Sequence, residues 1–358
     1  MGACRRCLAR AWLLSRLAGH LDVVRARIDE VLGLDERQLI EAVAGDEAGA
    51  LTRELEGFDA GAARELARRC GVEAVCRCDR RYPQQLRALA SAPSVLHVAG
   101  GLERFLDLAH AESVALVGAR RASPYGREMA RSLGRSLAST GVTIISGMAL
   151  GADAAAHEGA LAAPGATIAV LPGGAERPYP PASRALYRRI LGTGAAVSEL
   201  PPATAARRWM FPARNRIIAA LAAMTVVVEA GERSGALITA RVAKGLGRPT
   251  GAVPGRVTTP TAAGSNRLLA DGAPVVRDAQ DVLDELFGAG TRTAARRHRR
   301  QLTPELEAVL AAVAAGDDTP SALERAGFAV ADALAALAEL ELAGYLRRDA
   351  GGRFVVSA

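Results

Sequence analysis

Three short apolar runs in this 358-residue chain each break into a turn rich in glycine, serine or arginine that opens a helix. The turns read Gly118-Ala119-Arg120, Ser146-Gly147-Met148-Ala149-Leu150-Gly151-Ala152-Asp153 and Gly231-Glu232-Arg233-Ser234-Gly235. After a parallel strand, such a turn aims free backbone N–H groups and the positive end of a helix dipole at one place, which suits an anion such as phosphate. None matches G-x-G-x-x-G or a P-loop, so neither a dinucleotide nor a nucleoside triphosphate is the expected guest. Nucleic-acid backbone fits better.

Each turn offers named candidates. Gly118 lets backbone approach a ligand closely, and Arg120 with Arg121 brings charge to the carboxyl edge of the sheet. The competing reading makes that pair a solvated surface loop. Ser146 and Gly147 are expected to hold a phosphate oxygen through their N–H groups, with Gly151 permitting the tight turn; Asp153 alternatively N-caps the next helix. His157, one turn further on, reads as a packing residue. Ser234 and Gly235 complete the third turn.

The segment Trp209-Met210-Phe211-Pro212-Ala213-Arg214-Asn215-Arg216-Ile217-Ile218 adds a different signal. Arg214 and Arg216 flank Asn215 at the start of an apolar helix, where the dipole disfavours each positive charge by about 0.3–1 kcal/mol. A bound anion would reverse that cost. Trp209 and Phe211 either stack bases, each worth about 1–3 kcal/mol in single-strand binders, or anchor the loop to the core. Basic and aromatic groups on one rim suit single-stranded nucleic acid more than a bare phosphate metabolite.

Catalytic patterns are weak. Glu199 and Glu229 end apolar runs and could serve as acid or base. No Ser-His-Asp or Cys-His order stands out, and Glu229 is expected to orient Arg214 or Arg216. The protein reads as a binder and not an enzyme.

Net charge is +7 with a pI near 9.6, which favours polyanionic partners. Only Lys244 among the 45 basic residues is lysine, a bias that reflects genome composition more than function. No run of about 18 apolar residues exists, and the first residues lack a clean signal-peptide core, so a cytoplasmic protein without membrane insertion is expected. Five cysteines, an odd number, fit reduced thiols. Cys4/Cys7 and Cys76/Cys78 present four zinc-type ligands, but the Cys-x-Cys spacing is tight and both pairs are Arg-rich. They are expected to be incidental, with no metal and no cofactor.

These residues must be positioned by a larger frame. Residues 1–80 show helical spacing with glycine interruptions, a small all-α domain, and 81–110 form a connector holding a short helix and an extended piece. From 111 to 288, buried-strand runs at 114–117, 142–145, 167–171, 195–197, 225–228, 252–253 and 275–276 alternate with helical segments. Strands apolar throughout, separated by helices, predict a parallel sheet covered on both faces: a doubly wound, mainly parallel α/β fold of extended Rossmann-like type. Ligands in it sit at the carboxyl ends of the strands, where all three turns lie. The Arg-rich stretch within 289–301 reads as a solvated linker, and 302–358 as three helices and two short strands, winged-helix-like.

The core resembles the DNA processing protein A (DprA/Smf) family of bacterial recombination mediators. The resemblance rests on Val117-Gly118-Ala119-Arg120, Ser146–His157, Leu171-Pro172-Gly173-Gly174 with Tyr179-Pro180, Ser198-Glu199-Leu200-Pro201, Phe211–Ile218, Val228-Glu229-Ala230 with Ser234–Ala240, Val253-Pro254-Gly255 and Gly264-Ser265-Asn266-Arg267-Leu268-Leu269. It covers roughly 170 residues; the flanking segments (the first of them SAM- or helix-hairpin-helix-like) match more loosely. The resemblance implies sequence-independent binding of single-stranded DNA, no catalysis, dimers, and loading of the recombinase RecA during natural transformation. It assigns Arg120 and the Ser146-Gly147 turn to a phosphate pocket, Arg214 and Arg216 to a basic rim, and the region around 264–269 with the last core helices to dimer and recombinase surfaces. Ala119, Ala152 and Met148-Ala149-Leu150 depart from residues usual in the family.

Two rivals remain. A Rossmann-like nucleotide phosphoribohydrolase also uses a Pro-Gly-Gly turn, but here it continues Ala175-Glu176-Arg177-Pro178 without the phosphate cradle. A duplex-DNA regulator would need a basic recognition helix, whereas 329–340 is Ala/Leu-rich with acids, a better match to protein.

Overall fold

The computed structural model describes residues 2–294, 302–349 and 351–356. The chain divides into two compact units, Met1–Ala294 and Ala295–Ala358.

The first unit is built on eight strands: β1 (Glu73–Cys76), β2 (Val95–Ala99), β3 (Ser113–Val117), β4 (Thr143–Ser146), β5 (Thr167–Val170), β6 (Ala195–Ser198), β7 (Met224–Val227) and β8 (Thr250–Ala252). Their order across the sheet is β1-β2-β6-β5-β4-β3-β7-β8. The six strands from β3 to β8 pair in parallel, while β1 and β2 join antiparallel at one edge. The expected doubly wound α/β fold is present.

The alternation of side chains along β3 shows how both faces are closed. Val114 and Leu116 enter a core with Leu133, Leu137, Val282 and Leu283 from helices Pro124–Ser139 and Ala279–Phe287. Ala115 and Val117 enter the opposite core, with Phe105, Ile217, Ile218 and Ala240 from Leu102–His110, Met210–Leu221 and Ala236–Gly245. A strand wedged between two helical layers has no polar face, hence its uninterrupted apolar sequence.

The chain runs β3 to β6 outward in one direction, then returns to place β7 beside β3 on the other side. The carboxyl ends of β3 and β7 therefore flank the topological switch point, where this architecture opens a crevice.

Three boundaries differ from the expected ones. Residues 73–76, assigned to the all-α segment, form β1, and the connector supplies β2, so both belong to the sheet. The remaining N-terminal helices share a core with the segment after β6: Leu13, Leu17 and Leu39 pack with Leu200, Trp209 and Met210. Residues 275–276 contribute a single bridge to Ala252 and no strand.

The second unit has helices Pro304–Ala315, Pro320–Arg325 and Val330–Leu342, then β9 (Leu346–Arg348) paired antiparallel with β10 (Phe354–Val356). Thr303 and Thr319 cap the first two helices, each followed by proline at the first helical position. The expected linker arginines Arg296, Arg297, Arg299 and Arg300 lie outside the described residues.

Candidate nucleic-acid interface

A cavity of about 490 Å³ opens at the switch point, lined by Gly118, Arg120, Phe211, Asn215, Arg233 and Ser234 among others. A smaller recess of about 80 Å³, reaching Gly147, Leu150 and Tyr179, shares Arg120, Phe211 and Arg214 with it. The three turns do converge, as their places after β3, β4 and β7 require.

The first two turns are not vacant, however. Asp153, the second residue of helix Ala152–Leu161, is buried and reaches back to the strand tips. Its Oδ2 accepts from the N–H groups of Gly147 at 3.2 Å and Ala149 at 3.4 Å, and its Oδ1 from that of Gly118 at 3.4 Å. An internal carboxylate thus occupies the place expected for a phosphate oxygen, and it does not cap its own helix. Ser146 is wholly buried and its hydroxyl donates to the Leu116 carbonyl at 2.6 Å. The expected phosphate contacts of Ser146 and Gly147 are corrected accordingly: both positions are internal. Gly151 has φ +84°, a conformation that favours glycine, and its Cα side faces the Ala119 and Arg120 carbonyls where a Cβ has no room.

Arg214 and Arg216 are not a basic rim. The Arg214 guanidinium is buried, donating to the Gly147 carbonyl and, at 2.5 Å, to the Val170 carbonyl, with Asp153 3.9 Å away. Burial lowers its pKa to about 10, against the pull of Asp153, and it stays charged at neutral pH. Arg216 is buried too, and one of its nitrogens, Nη2, donates to both Glu199 oxygens at 2.7 and 2.6 Å. Residues two apart on a helix point to different sides, so the pair never shared one surface. Glu229 orients neither arginine: it accepts from the Ser123 N–H and hydroxyl, each at 2.9 Å, and from the Thr261 hydroxyl. Trp209 is also buried, packed in the N-terminal helical core, and cannot stack on a base.

What remains at the mouth is coherent. Arg120 is exposed and its guanidinium lies 4.7 Å from the Phe211 ring centroid, whereas Arg121 is exposed but lines neither the cavity nor the recess. The Phe211 ring meets Tyr179 edge-on at 5.1 Å. Arg233 is exposed on the opposite lip, in the third turn with Ser234 and Gly235. Asn215 joins the two lips, its Nδ2 donating to the Gly235 carbonyl at 3.1 Å. Tyr179 and Arg233 were absent from the sequence-based site, although Arg233 lies inside a quoted glycine turn and Tyr179 between two prolines.

The Pro172-Gly173-Gly174 turn is closed over by the segment that follows β6. The Gly174 N–H donates to the Thr204 carbonyl at 2.9 Å, and Glu176 accepts from the Ala203 N–H at 2.6 Å. No open phosphate cradle exists at this turn.

His157 is a packing residue in a defined tautomer. Thr167 donates its hydroxyl to the Ile144 carbonyl at 2.6 Å, so the 2.7 Å contact with His157 requires an Nδ1–H donor on the ring. Burial, then the Arg214 charge, lowers its pKa to about 3. A histidine depressed in the fold contributes stability that is present above the unfolded pKa near 6.5 and is lost as pH falls toward the folded value. His157→Gln should therefore reduce the stability lost between pH 7 and pH 5 by about 2 kcal/mol, read from urea titrations at both pH values. An unaltered difference would show that the ring titrates normally.

Fold and site together define a Rossmann-like α/β protein with an arginine- and aromatic-rimmed cavity at its switch point. The family model for DNA recombination-mediator protein A matches residues 73–287, and the chain belongs to that family. It is 43% identical over 198 residues to a DNA processing protein DprA of Mycobacterium tuberculosis, which is 55% of this chain and 50% of the relative. The chain thus spans about half the length of that curated relative. The structure of DprA from Streptococcus pneumoniae superposes with a TM-score of 0.64 at 30% identity, covering 80% of this chain and 99% of that one. DNA processing protein A from Helicobacter pylori, studied for its single-stranded DNA binding mode, gives 0.53 at 29% identity over 60% of this chain and 94% of that one. Among the described residues, no helix is long and apolar enough to cross a membrane.

Proposed function

We propose that this chain binds single-stranded DNA without sequence preference along the rim of the switch-point cavity, performs no chemistry on it, and delivers it to the recombinase RecA. The observation that carries the proposal is the Arg120–Phe211–Tyr179 cluster at the cavity mouth. A guanidinium there neutralises phosphate, while ring faces beside it accept bases of any identity. The reading is supported by the family and by the H. pylori relative. The function is that of a dimeric mediator, with helix Ala263–Ala270 and the last core helix supplying protein contacts. Exposed Val330, Leu334 and Leu342 on one helix of the second unit suit a protein partner better than a DNA groove.

Anisotropy titrations against salt test the DNA step. Single strands should bind more tightly than duplexes, with log K falling about 0.7 per phosphate neutralised for each unit of log salt. Arg120→Ala should flatten that slope by about 0.7 and weaken all sequences alike. Phe211→Ala should cost about 1–3 kcal/mol of binding with little change in slope. Equal or stronger duplex binding, or full affinity in the Arg120→Ala/Arg233→Ala double variant, would overturn the assignment. Incubation with AMP should release no free base.

A further inference from the structure

The fold gathers four of the five cysteines into one cluster. Cys4 is the N-cap of helix Arg5–Arg16 and Cys7 its third residue. Cys76 ends β1, and Cys78 follows in a turn closed by the Asp79 N–H donating to the Cys76 carbonyl at 2.8 Å. The four Sγ atoms all lie within 4.8 Å of one another. Cys7 and Cys78 are 3.8 Å apart at sulfur. That is far beyond the roughly 2.05 Å of a disulfide, and equal to the edge of about 3.8 Å that four sulfurs make around a zinc ion with bonds of about 2.3 Å.

We infer that Cys4, Cys7, Cys76 and Cys78 form a structural zinc site that clips the first helix to the edge strand β1. The donor set is the closed tetrathiolate type, with no position left for water or substrate. Three surrounding features suit it. The Cys4 N–H donates to the Cys76 sulfur at 3.4 Å, a hydrogen bond of the kind that steadies a coordinating thiolate. The first two cysteines sit at the N-terminus of helix Arg5–Arg16, whose positive end faces the negative charge a tetrathiolate would carry. A zinc tetrathiolate carries a net charge of about −2, so the neighbouring Arg5, Arg6, Arg77 and Arg80, which on sequence alone argue against a metal, provide compensating charge. The clip joins positions 72 residues apart, and closing so long a loop constrains the unfolded chain strongly. It also pins a strand that has a neighbour on only one side. Cys70, the fifth cysteine, stands outside the cluster.

The full-length chain, purified under reducing conditions, should contain close to one zinc per molecule by plasma mass spectrometry. Titration with a mercurial reagent should release that zinc in step with four thiols. Cobalt exchanged into the chelated protein should show thiolate charge transfer together with the visible bands of a tetrahedral ion. Cys70→Ser should keep the full metal content, and Cys7→Ser/Cys78→Ser should lose it. Because the double variant could fail through misfolding alone, the wild-type readings decide. Folded wild-type protein that is metal-free with five reactive thiols, one that holds disulfides, or one that carries iron in place of zinc would each overturn the assignment.

Discussion

Replacing Asp153 with alanine should lower stability by about 3–5 kcal/mol, a loss measurable as a shift in the urea midpoint. The carboxylate serves three backbone N–H groups at two strand tips and lies beside the buried Arg214 guanidinium. Alanine would leave those amides unpaired and the guanidinium without its counter-charge. Each unpaired amide alone is worth about 1–3 kcal/mol, although relaxation and entering water make the sum smaller than its parts. Asp153→Asn should be milder, since its amide oxygen keeps one acceptor while its NH2 confronts the remaining donors. Arg214→Ala should behave like Asp153→Ala, weakening the fold before it weakens DNA binding. If instead Asp153→Ala kept full stability and bound single strands more tightly, the amides would be acting as a phosphate cradle that the carboxylate blocks.

That contrast shows where sequence reading stopped. Buried parallel strands announce themselves because both faces must be apolar, so β3 to β7 and the placement of the turns at their tips were legible. β1 was not, and the extended piece that became β2 could not be joined to the sheet, since four or five residues at an antiparallel edge, such as Glu73-Ala74-Val75-Cys76, give no periodicity long enough to separate strand from loop. Within the site, the convergence point was readable but the direction of each arginine was not. Arg120 follows a strand directly and stays exposed, whereas Arg214 and Arg216 lie on a helix whose partners, Asp153 and Glu199, arrive from other strand ends. Only the folded sheet brings those carboxylates within reach. The i, i+2 spacing of the two arginines did carry a usable warning, because such residues cannot line one rim. The convergence of the four cysteines was hidden for the same reason, as two pairs far apart in the chain become a cluster only through the β1 edge.

Arg216 and Glu199 offer the second large effect, and one whose sign depends on how many partners are removed. Arg216→Met alone should cost about 3–5 kcal/mol, because Glu199 would keep a buried charge with no cation against it. Glu199→Met alone should cost as much by the converse argument. The Glu199→Met/Arg216→Met double variant should recover most of the loss. The pair pays a desolvation penalty on both sides, and Nη2 of the guanidinium is engaged, while Nε and Nη1 find no hydrogen-bond partner among the described residues. Two methionines of adaptable shape avoid both costs and fill similar volume. A coupling energy of several kcal/mol from the urea midpoints of the four proteins is the expected result, and additive single losses would mean that the two side chains do not form a pair. Neither residue lines the cavity, so the double variant should bind single-stranded DNA with unchanged affinity and salt slope, unlike Arg120→Ala. A double variant that is stable yet has lost DNA binding would place Arg216 back at the interface and displace the Arg120–Phe211 rim from its proposed role.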